Sequence, residues 1–274
     1  MAVILKEDYD LLLCSCGNRG STPGERINMT RVRDRLDELE AAGNTDAAVR
    51  LLDYWLAEAR SFKDHLGEIL VESEFVGLLR KMGQGERAIS HGMTALKLID
   101  EYGLNGTVTD GTIRINLATA YTAFGQPKKA MEIFEEAGKI YEARLSPDDG
   151  KLAGLYNNMG LCATALGHYD EGRKLFKAAF DISASRPEGK GEAAITCLNI
   201  ADLASAEADS LDDEASLESA AEETEALVDK AWELLNSPDL PQDEYTRYIY
   251  EKCAPVFEHY GALDRAEELR KRAK

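Results

Sequence analysis

The chain has 274 residues, of which 44% are apolar, and a formal net charge of −18. So acidic a protein repels other polyanions, and we therefore predict neither nucleic-acid binding nor attachment to an anionic membrane. No stretch approaches the ~18 consecutive apolar residues of a membrane-spanning helix. Only 7 residues are proline, which argues against low complexity and wholesale disorder.

Residues 1–28 are predicted to form a separate N-terminal segment. Its start lacks the basic residues of a secretory signal, and the glycine-rich stretch 17–24 is typical of a flexible linker. Cys14 and Cys16 form a C-x-C pair, but they lack the second pair of ligands that a zinc site needs. We predict no cofactor and no metal. The odd total of 5 cysteines favours a reducing compartment, with the cytoplasm as the default.

From residue 29 onward the sequence repeats with a constant period. Val76, Ala118 and Gly160 follow one another at intervals of 42 residues. A constant period of this size indicates one supersecondary unit stacked many times. The clearest copies align without gaps as Phe75-Val76-x2-Leu79-x3-Gly83-x4-Ala88, Leu117-Ala118-x2-Tyr121-x3-Gly125-x4-Ala130 and Met159-Gly160-x2-Ala163-x3-Gly167-x4-Gly172.

Each copy is predicted to be a pair of helices. In the copy that begins at residue 111, apolar residues recur at helical spacing over 112–124, and Gly125 breaks the pattern. Pro127 suits the first position of the second helix, which continues to about residue 145. Small residues such as Ala118 and Gly160 recur where two helices must approach closely.

The motif Tyr156-x2-Met159-Gly160-x2-Ala163, followed by Gly172-x3-Phe176, resembles the tetratricopeptide repeat. The period of 42 residues, longer than the usual ~34, resembles the variant found in kinesin light chains and in many bacterial regulators. The resemblance implies an all-α fold, a right-handed α-solenoid of about six helix–turn–helix units. The units are predicted at about 29–68, 69–110, 111–152, 153–193, 194–240 and 241–274, the last being a highly charged capping unit.

The fifth unit departs from the period. Its second helix is predicted to begin only near Ser219, after an acidic insertion at 205–218. No basic residue lies between Lys190 and Lys230, whereas 12 acidic residues do. We interpret this run as a solubilising surface rather than a dedicated site for a basic partner.

A row of asparagines is the best candidate site. Asn116, Asn158 and Asn199 each lie two residues before the small residue of a first helix. In the tetratricopeptide family this register tends to face the concave groove, where an amide can bridge the N–H and C=O groups of an extended peptide. The alternative is that each asparagine caps or braces the connection between repeats. Other groove candidates by the same register are Asn157, Thr119, Thr122, Leu161, Arg80, Lys81 and Asp202.

The leading hypothesis is a non-catalytic module that binds an extended peptide or a partner helix in its concave groove. The alternative is a peptide-sensing signalling regulator that acts through a protein partner. An enzyme is disfavoured because the sequence contains no phosphate-binding glycine motif and no recognisable catalytic triad. Self-association through the end repeats, giving a homodimer, stays open.

Overall fold

A computed structural model describes residues 26–211 and 213–274. The predictions for the N-terminal linker and for Cys14 and Cys16 lie outside the described residues. The chain divides into two compact units, unit 1 up to Arg144 and unit 2 from Leu145 onward. Each unit is a stack of antiparallel helical hairpins.

Unit 1 contains three hairpins in its described part. Their helices are α1 (Met29–Ala41) with α2 (Thr45–Phe62), α3 (His65–Lys81) with α4 (Gly85–Glu101), and α5 (Val108–Ala123) with α6 (Pro127–Arg144). Unit 2 also contains three hairpins: α7 (Gly150–Ala165) with α8 (Tyr169–Ala184), α9 (Lys190–Leu211) with α10 (Glu214–Leu235), and α11 (Glu244–His259) with α12 (Leu263–Arg272). A short 3-10 helix, Pro187–Gly189, precedes α9. Over the described ranges the predicted all-α fold of repeated hairpins is confirmed.

Glycine ends the first helix in most hairpins. The aligned residues Gly43, Gly83, Gly125, Gly167 and Gly261 have φ between +66° and +76°, a left-handed conformation that costs glycine little. In each of these turns the next N–H reaches back over the helix end, as from Gln126 to the carbonyl of Tyr121 at 2.9 Å. The repeated glycine is therefore a backbone requirement of the tight turn.

The repeated small residues lie where helices approach most closely, as predicted. A Cβ atom added to Gly160 would lie 2.6 Å from the buried ring of Phe176 on α8. Ala118 and Ala201, at the matching positions of α5 and α9, have no exposed surface. Phe134 and Phe176 fill the neighbouring space and are almost fully buried.

The fifth hairpin differs from the prediction. The helix α9 continues to Leu211 and α10 already begins at Glu214, so the stretch 205–218 consists largely of helix. Between Gly191 and Pro238 there is neither glycine nor proline, and alanine, leucine and glutamate dominate. These are strong helix formers, and both helices therefore extend to 22 residues, against 16 for α7 and α8.

Within the described ranges, no helix combines the length and the apolar character needed to cross a membrane.

Candidate functional site

The first helices of neighbouring hairpins lie side by side within each unit. In unit 1, α3 contacts α5, and in unit 2, α9 contacts both α7 and α11. Because each hairpin repeats the same register, residues at matching positions line up across adjacent first helices. Each unit thus has a surface formed by its own first helices, which we call the first-helix face of that unit.

Polar pairs join neighbouring first helices at nearly constant sequence separation. Arg33 Nε donates to Glu74 Oε1 at 2.7 Å, linking α1 to α3. Asn116 Nδ2 donates to Ser73 Oγ at 2.8 Å, linking α5 to α3. In unit 2, Asn199 Nδ2 donates to Asn157 Oδ1 at 3.0 Å, linking α9 to α7. We call these three contacts the lateral pairs.

The lateral pairs change the interpretation of the asparagine row. Asn116 and Asn199 are half-buried and already use one amide N–H to hold the next first helix. Asn158 is only 5% exposed. The alternative reading, in which the asparagines join successive repeats, therefore describes a contact that the structure contains. A side-chain amide has two N–H donors and one acceptor, so a lateral pair leaves capacity for a ligand.

A small cavity adjoins the lateral pair of unit 2. It measures about 20 Å³ and is lined by Asn157, Ser183, Glu192 and Thr196, among others. A cavity of this size holds about one water molecule, which requires ~10–15 Å³. The space beside this pair therefore has room for about one water molecule.

The neutral residues predicted to line the groove are less available than their polarity suggests. Thr119 donates its hydroxyl to the carbonyl of Ile115 at 2.8 Å, and Thr122 donates to the carbonyl of Ala118 at 3.1 Å. These bonds stay within α5, a common arrangement for threonine inside a helix. Leu161 is half-buried on α7.

Of the three charged candidates, Arg80 and Lys81 lie in unit 1 and Asp202 lies in unit 2. In unit 1, Lys81 is exposed and pairs with Glu40 of α1 at 2.6 Å, while Arg80 is half-buried. In unit 2, Asp202 is exposed and accepts a hydrogen bond of 2.6 Å from the phenol of Tyr260. Burial and this hydrogen bond raise the pKa of Tyr260, so its phenol stays a donor.

Sequence reasoning missed a buried carboxylate in unit 1. Glu72 is 2% exposed; its two oxygens meet Arg60 Nη2 at 3.1 Å and His91 Nδ1 at 2.5 Å. The imidazole of His91 also stacks on Phe75, with ring centroids 4.3 Å apart. Glu72 occupies the position that a large residue such as Tyr156 takes in the motif. A charged residue at a position that is usually large and apolar was the sequence signal that could have revealed this cluster. The cluster joins α2, α3 and α4.

The described residues offer little for nucleophilic or metal chemistry. Over the described ranges, no group of three or more His, Cys, Asp and Glu side chains is placed to hold a metal. Burial raises the pKa of Cys197 and of Cys253 to about 12. A thiol reacts through its thiolate, so these two are poor nucleophiles.

Two of the repeats match family models of known proteins. Two family models, both described as tetratricopeptide repeat, match residues 111–149 and 153–186. A curated relative, Protein KINESIN LIGHT CHAIN-RELATED 2 from Arabidopsis thaliana, is 26% identical over 209 residues. That alignment covers 75% of this chain and 29% of the relative, so the chain spans less than a third of that protein's length.

Solved structures share the fold at low sequence identity. BtubC (BKLC) from P. vanneervenii superimposes with a TM-score of 0.63 at 20% identity, covering 75% of this chain and 79% of that one. A Rap protein complexed with Competence and Sporulation Factor gives 0.54 at 15% identity, with 87% and 72% covered. The apo form of RapI gives 0.54 at 14% identity, with 90% and 96% covered. These likenesses support the predicted class of helical-repeat solenoid.

Proposed function

We propose that this chain, a tetratricopeptide-repeat protein of the kinesin light chain type, is a non-catalytic interaction module. Its ligand is an extended peptide or a partner helix, and the binding surface is the first-helix face. Stacked repeats of this kind commonly bind through such extended surfaces. Fold alone does not establish a function, so the proposal rests on the lateral pairs.

The lateral pairs support binding because they hold amide groups in place. The bond from Asn116 to Ser73 restricts the side chain, so less rotamer entropy is lost when a ligand engages the remaining donor and acceptor. The same holds for Asn199, which is held by Asn157. An oriented amide can bond to a peptide backbone irrespective of the peptide's sequence.

The side chains around the lateral pairs indicate how the module could distinguish one peptide sequence from another. In unit 1, Arg80 and Lys81 offer positive charge on α3, and Thr122 offers a half-buried neutral side chain on α5, whereas Thr119 is buried. In unit 2, Leu161 offers a half-buried apolar contact and Asp202 a carboxylate. Each unit thus presents backbone-directed amides with different side-chain chemistry beside them.

Peptide selection followed by titration tests the proposal. A random-peptide phage library is selected on the full chain, and an enriched peptide is synthesised and titrated by calorimetry. We expect Asn116→Ala and Asn199→Ala together to weaken binding by about tenfold or more, equivalent to ~1.4 kcal/mol. Asn158→Ala is measured as a separate single variant, because the amide of Asn158 is more deeply buried than those of Asn116 and Asn199.

A matched control separates ligand contact from support of the stack. Ser73→Ala removes the same lateral hydrogen bond as Asn116→Ala but leaves the amide in place. If Asn116→Ala weakens binding and Ser73→Ala does not, the amide contacts the ligand. Equal losses in both variants would mean that the asparagine acts only through the stack. Unchanged affinity in the double variant would remove the asparagine row from the mechanism.

The second candidate function is a peptide-sensing regulator that acts through a protein partner. The observation favouring it is the shared fold with the Rap protein solved with Competence and Sporulation Factor, a likeness that concerns the fold alone. Native mass spectrometry of the chain purified from its own host tests this idea. A co-purifying short peptide would favour it, and a long protein partner without any peptide would favour the simple interaction module.

A further inference from the structure

The elongated hairpin of unit 2 has a tip that extends beyond its neighbours. We call residues 205–211 of α9 and 214–225 of α10 the tip. The following hairpin is short on this side, because its turn lies at 260–262 and α12 has only 10 residues. One side of the tip therefore extends past the helices that would otherwise cover it.

The opposite side of the tip is firmly held by α8. Arg173 donates four hydrogen bonds, of 2.7 to 3.1 Å, to the carboxylates of Glu207 and Glu223. Those bonds raise the pKa of Arg173, so the guanidinium keeps its charge. Tyr169 adds a hydrogen bond of 3.1 Å to the carbonyl of Ala206. Bidentate arginine contacts of this kind impose a fixed geometry, and the tip is thus held in one position.

The uncovered side of the tip forms a groove of about 900 Å³, which we call the tip groove. It lies between α9, α10 and the turn before α12. Its walls are largely apolar or small residues at helical spacing on α10, with exposed leucines on both sides: Leu217 is 46% and Leu263 61% exposed. The α10 stripe consists of Leu217, Ala221, Thr224 and Val228.

The floor of the tip groove contains an unsatisfied polar atom. Thr224 is only 6% exposed, and its hydroxyl oxygen has no hydrogen-bond partner among the described residues. Leaving a buried donor or acceptor unpaired costs roughly 1–3 kcal/mol. Because the hydroxyl oxygen is itself covered, a bound molecule could satisfy it only after a local rearrangement, and the case for docking rests on the exposed leucines and the acidic rim.

Acidic residues surround the tip groove. Asp209, Glu225 and Asp264 line it, whereas its one arginine, Arg265, already pairs with Asp229 at 2.6 Å. The rim therefore attracts positive charge. A second copy of the chain fits poorly, because each copy carries a net charge of −18 and the two acidic rims would repel.

We infer that the tip groove is a docking site for a basic amphipathic helix of a partner protein, separate from the first-helix face. The α10 stripe covers 12 residues, from exposed Leu217 to buried Val228, and its two ends are about 16 Å apart. This length matches a helix of about three turns laid along it. Apolar side chains of that helix would cover the leucines, and lysines or arginines on its flanks would face the acidic rim.

A peptide pair tests the shape requirement. The probe is a fluorescein-labelled peptide of about three turns, with leucines at helical spacing on one face and lysines on both flanks. Its isomer has the same composition with the leucines scattered. Fluorescence anisotropy is measured on the full chain at about 150 mM salt, where charges beyond ~8 Å are largely screened. We expect the isomer to bind about tenfold more weakly or worse; equal binding of both peptides would overturn the inference.

Variants test the location. Ala221→Arg places a bulky side chain in the groove, and a second variant, Leu217→Gln, removes an apolar contact at an exposed position. Each is expected to weaken binding of the helical probe about fivefold or more. Both substituted residues are exposed, so the helical content by circular dichroism should be unchanged. Full affinity in both variants would overturn the inference.

Charge reversal tests the rim against the overall charge of the protein. Asp209→Lys, Glu225→Lys and Asp264→Lys are combined in one protein, and the control combines Asp239→Lys, Glu244→Lys and Glu251→Lys, which are exposed acids outside the groove. Both proteins gain the same net charge. We expect about a tenfold loss for the rim triple and less than about twofold for the control. Equal losses would reduce the effect to general attraction, and a concentration-dependent dimer abolished by Ala221→Arg would assign the groove to a second copy; either overturns the inference.

Discussion

The two units use the same hairpin but hold successive helices together with different chemistry. Unit 1 places polar and charged contacts between its helices: Glu72 of α3 meets Arg60 of α2 and His91 of α4, and Arg114 of α5 meets Glu136 of α6. Unit 2 fills the equivalent space with an apolar core that includes Cys197, Tyr250, Cys253 and Phe257. The pairs made by Arg173 in unit 2 lie nearer the surface, since the arginine side chain is 34% exposed.

One register position shows the difference directly. Four residues before the small residue of each first helix, unit 1 has Glu72 and Arg114, whereas unit 2 has Tyr156, Cys197 and Tyr250. The backbone is the same helix in all five cases. The repeat thus specifies how closely the helices approach, and the space beside that contact accepts either an ion pair or an apolar side chain, provided that its polar groups are satisfied.

Thiol labelling gives the largest expected effect and reports on unit 2 alone. Every cysteine in the described ranges, Cys162, Cys197 and Cys253, is buried in that unit. In a chain carrying Cys14→Ser and Cys16→Ser, maleimide labelling should be about a thousandfold slower than in urea, because it requires an opening that costs roughly 4 kcal/mol. Labelling at nearly the rate of the unfolded chain would show that the core of unit 2 is not closed.

Removing a helix cap should affect unit 1 more than unit 2. Asp64 is 2% exposed and accepts from the N–H groups of Gly67 at 3.0 Å and Ile27 at 2.9 Å. Asp64→Ala should cost about 3 kcal/mol of unfolding free energy, since it removes the cap and leaves a buried N–H unpaired. The matched variant in unit 2, Asp149→Ala, loses one cap bond to Lys151 and should cost about 1 kcal/mol. Urea unfolding compares them, and equal costs would contradict the role of the Ile27 contact.

Two glycines inside first helices should respond oppositely to alanine. Gly160→Ala in unit 2 would place its methyl group against Phe176 and should destabilise by about 1–2 kcal/mol. A Cβ atom added to Gly77 in unit 1 would have no neighbouring atom within 4 Å. Gly77→Ala should therefore stabilise by about 0.5–1 kcal/mol through helix propensity. Thermal unfolding of both variants decides the matter, and a stabilising Gly160→Ala would mean that the helices can move apart freely.

The smallest expected effect concerns acid titration in unit 1. Partial burial, together with Glu40 and Glu74, raises the pKa of Asp37 from 3.8 to about 6. The folded state then binds this proton more tightly than the unfolded chain, so its stabilising contribution is present at pH 4 and is lost as the pH rises to about 6.

Asp37→Asn should therefore stabilise the protein at pH 7.5 and have no effect near pH 4. Because Asp37 is only partly buried and keeps much of its surface in solvent, screening weakens the interaction and the gain should stay below about 1 kcal/mol. The same substitution at exposed Asp239 of unit 2 serves as the control in urea unfolding. An equal gain at both pH values would show that the carboxylate charge is not the cause.

Much of the helical framework could be predicted because its signals are local. Gly125 and Pro127 predict a turn irrespective of their surroundings. In the structure α5 ends just before Gly125 and α6 begins at Pro127. In the fifth hairpin the start of the second helix was predicted near Ser219 but lies at Glu214, because the extra residues relative to the period are themselves helix formers. The absence of glycine and proline between Gly191 and Pro238 is a sequence signal that favours the longer helices.

The candidate site was predictable in position but not in detail. Register alone brought Asn116 and Asn199 to the first-helix face, yet their partners Ser73 and Asn157 are 43 and 42 residues away in sequence. A partner of that kind depends on side-chain rotamers and on the offset between neighbouring helices, neither of which a single repeat encodes. The contact of Glu72 with His91 could not be predicted from the sequence for the same reason.

The sequence by itself determined the hairpin, its turn and the places where helices touch, because a positive φ at Gly125 and the contact at Gly160 each require a particular residue type. Only the tertiary structure decided which polar groups meet and which surfaces stay uncovered. The tip groove is one such surface, since it exists only because α10 extends past the turn at Tyr260. Its acidic rim adjoins an apolar stripe, and this juxtaposition, which composition alone could not show, is the basis for proposing a docking site there.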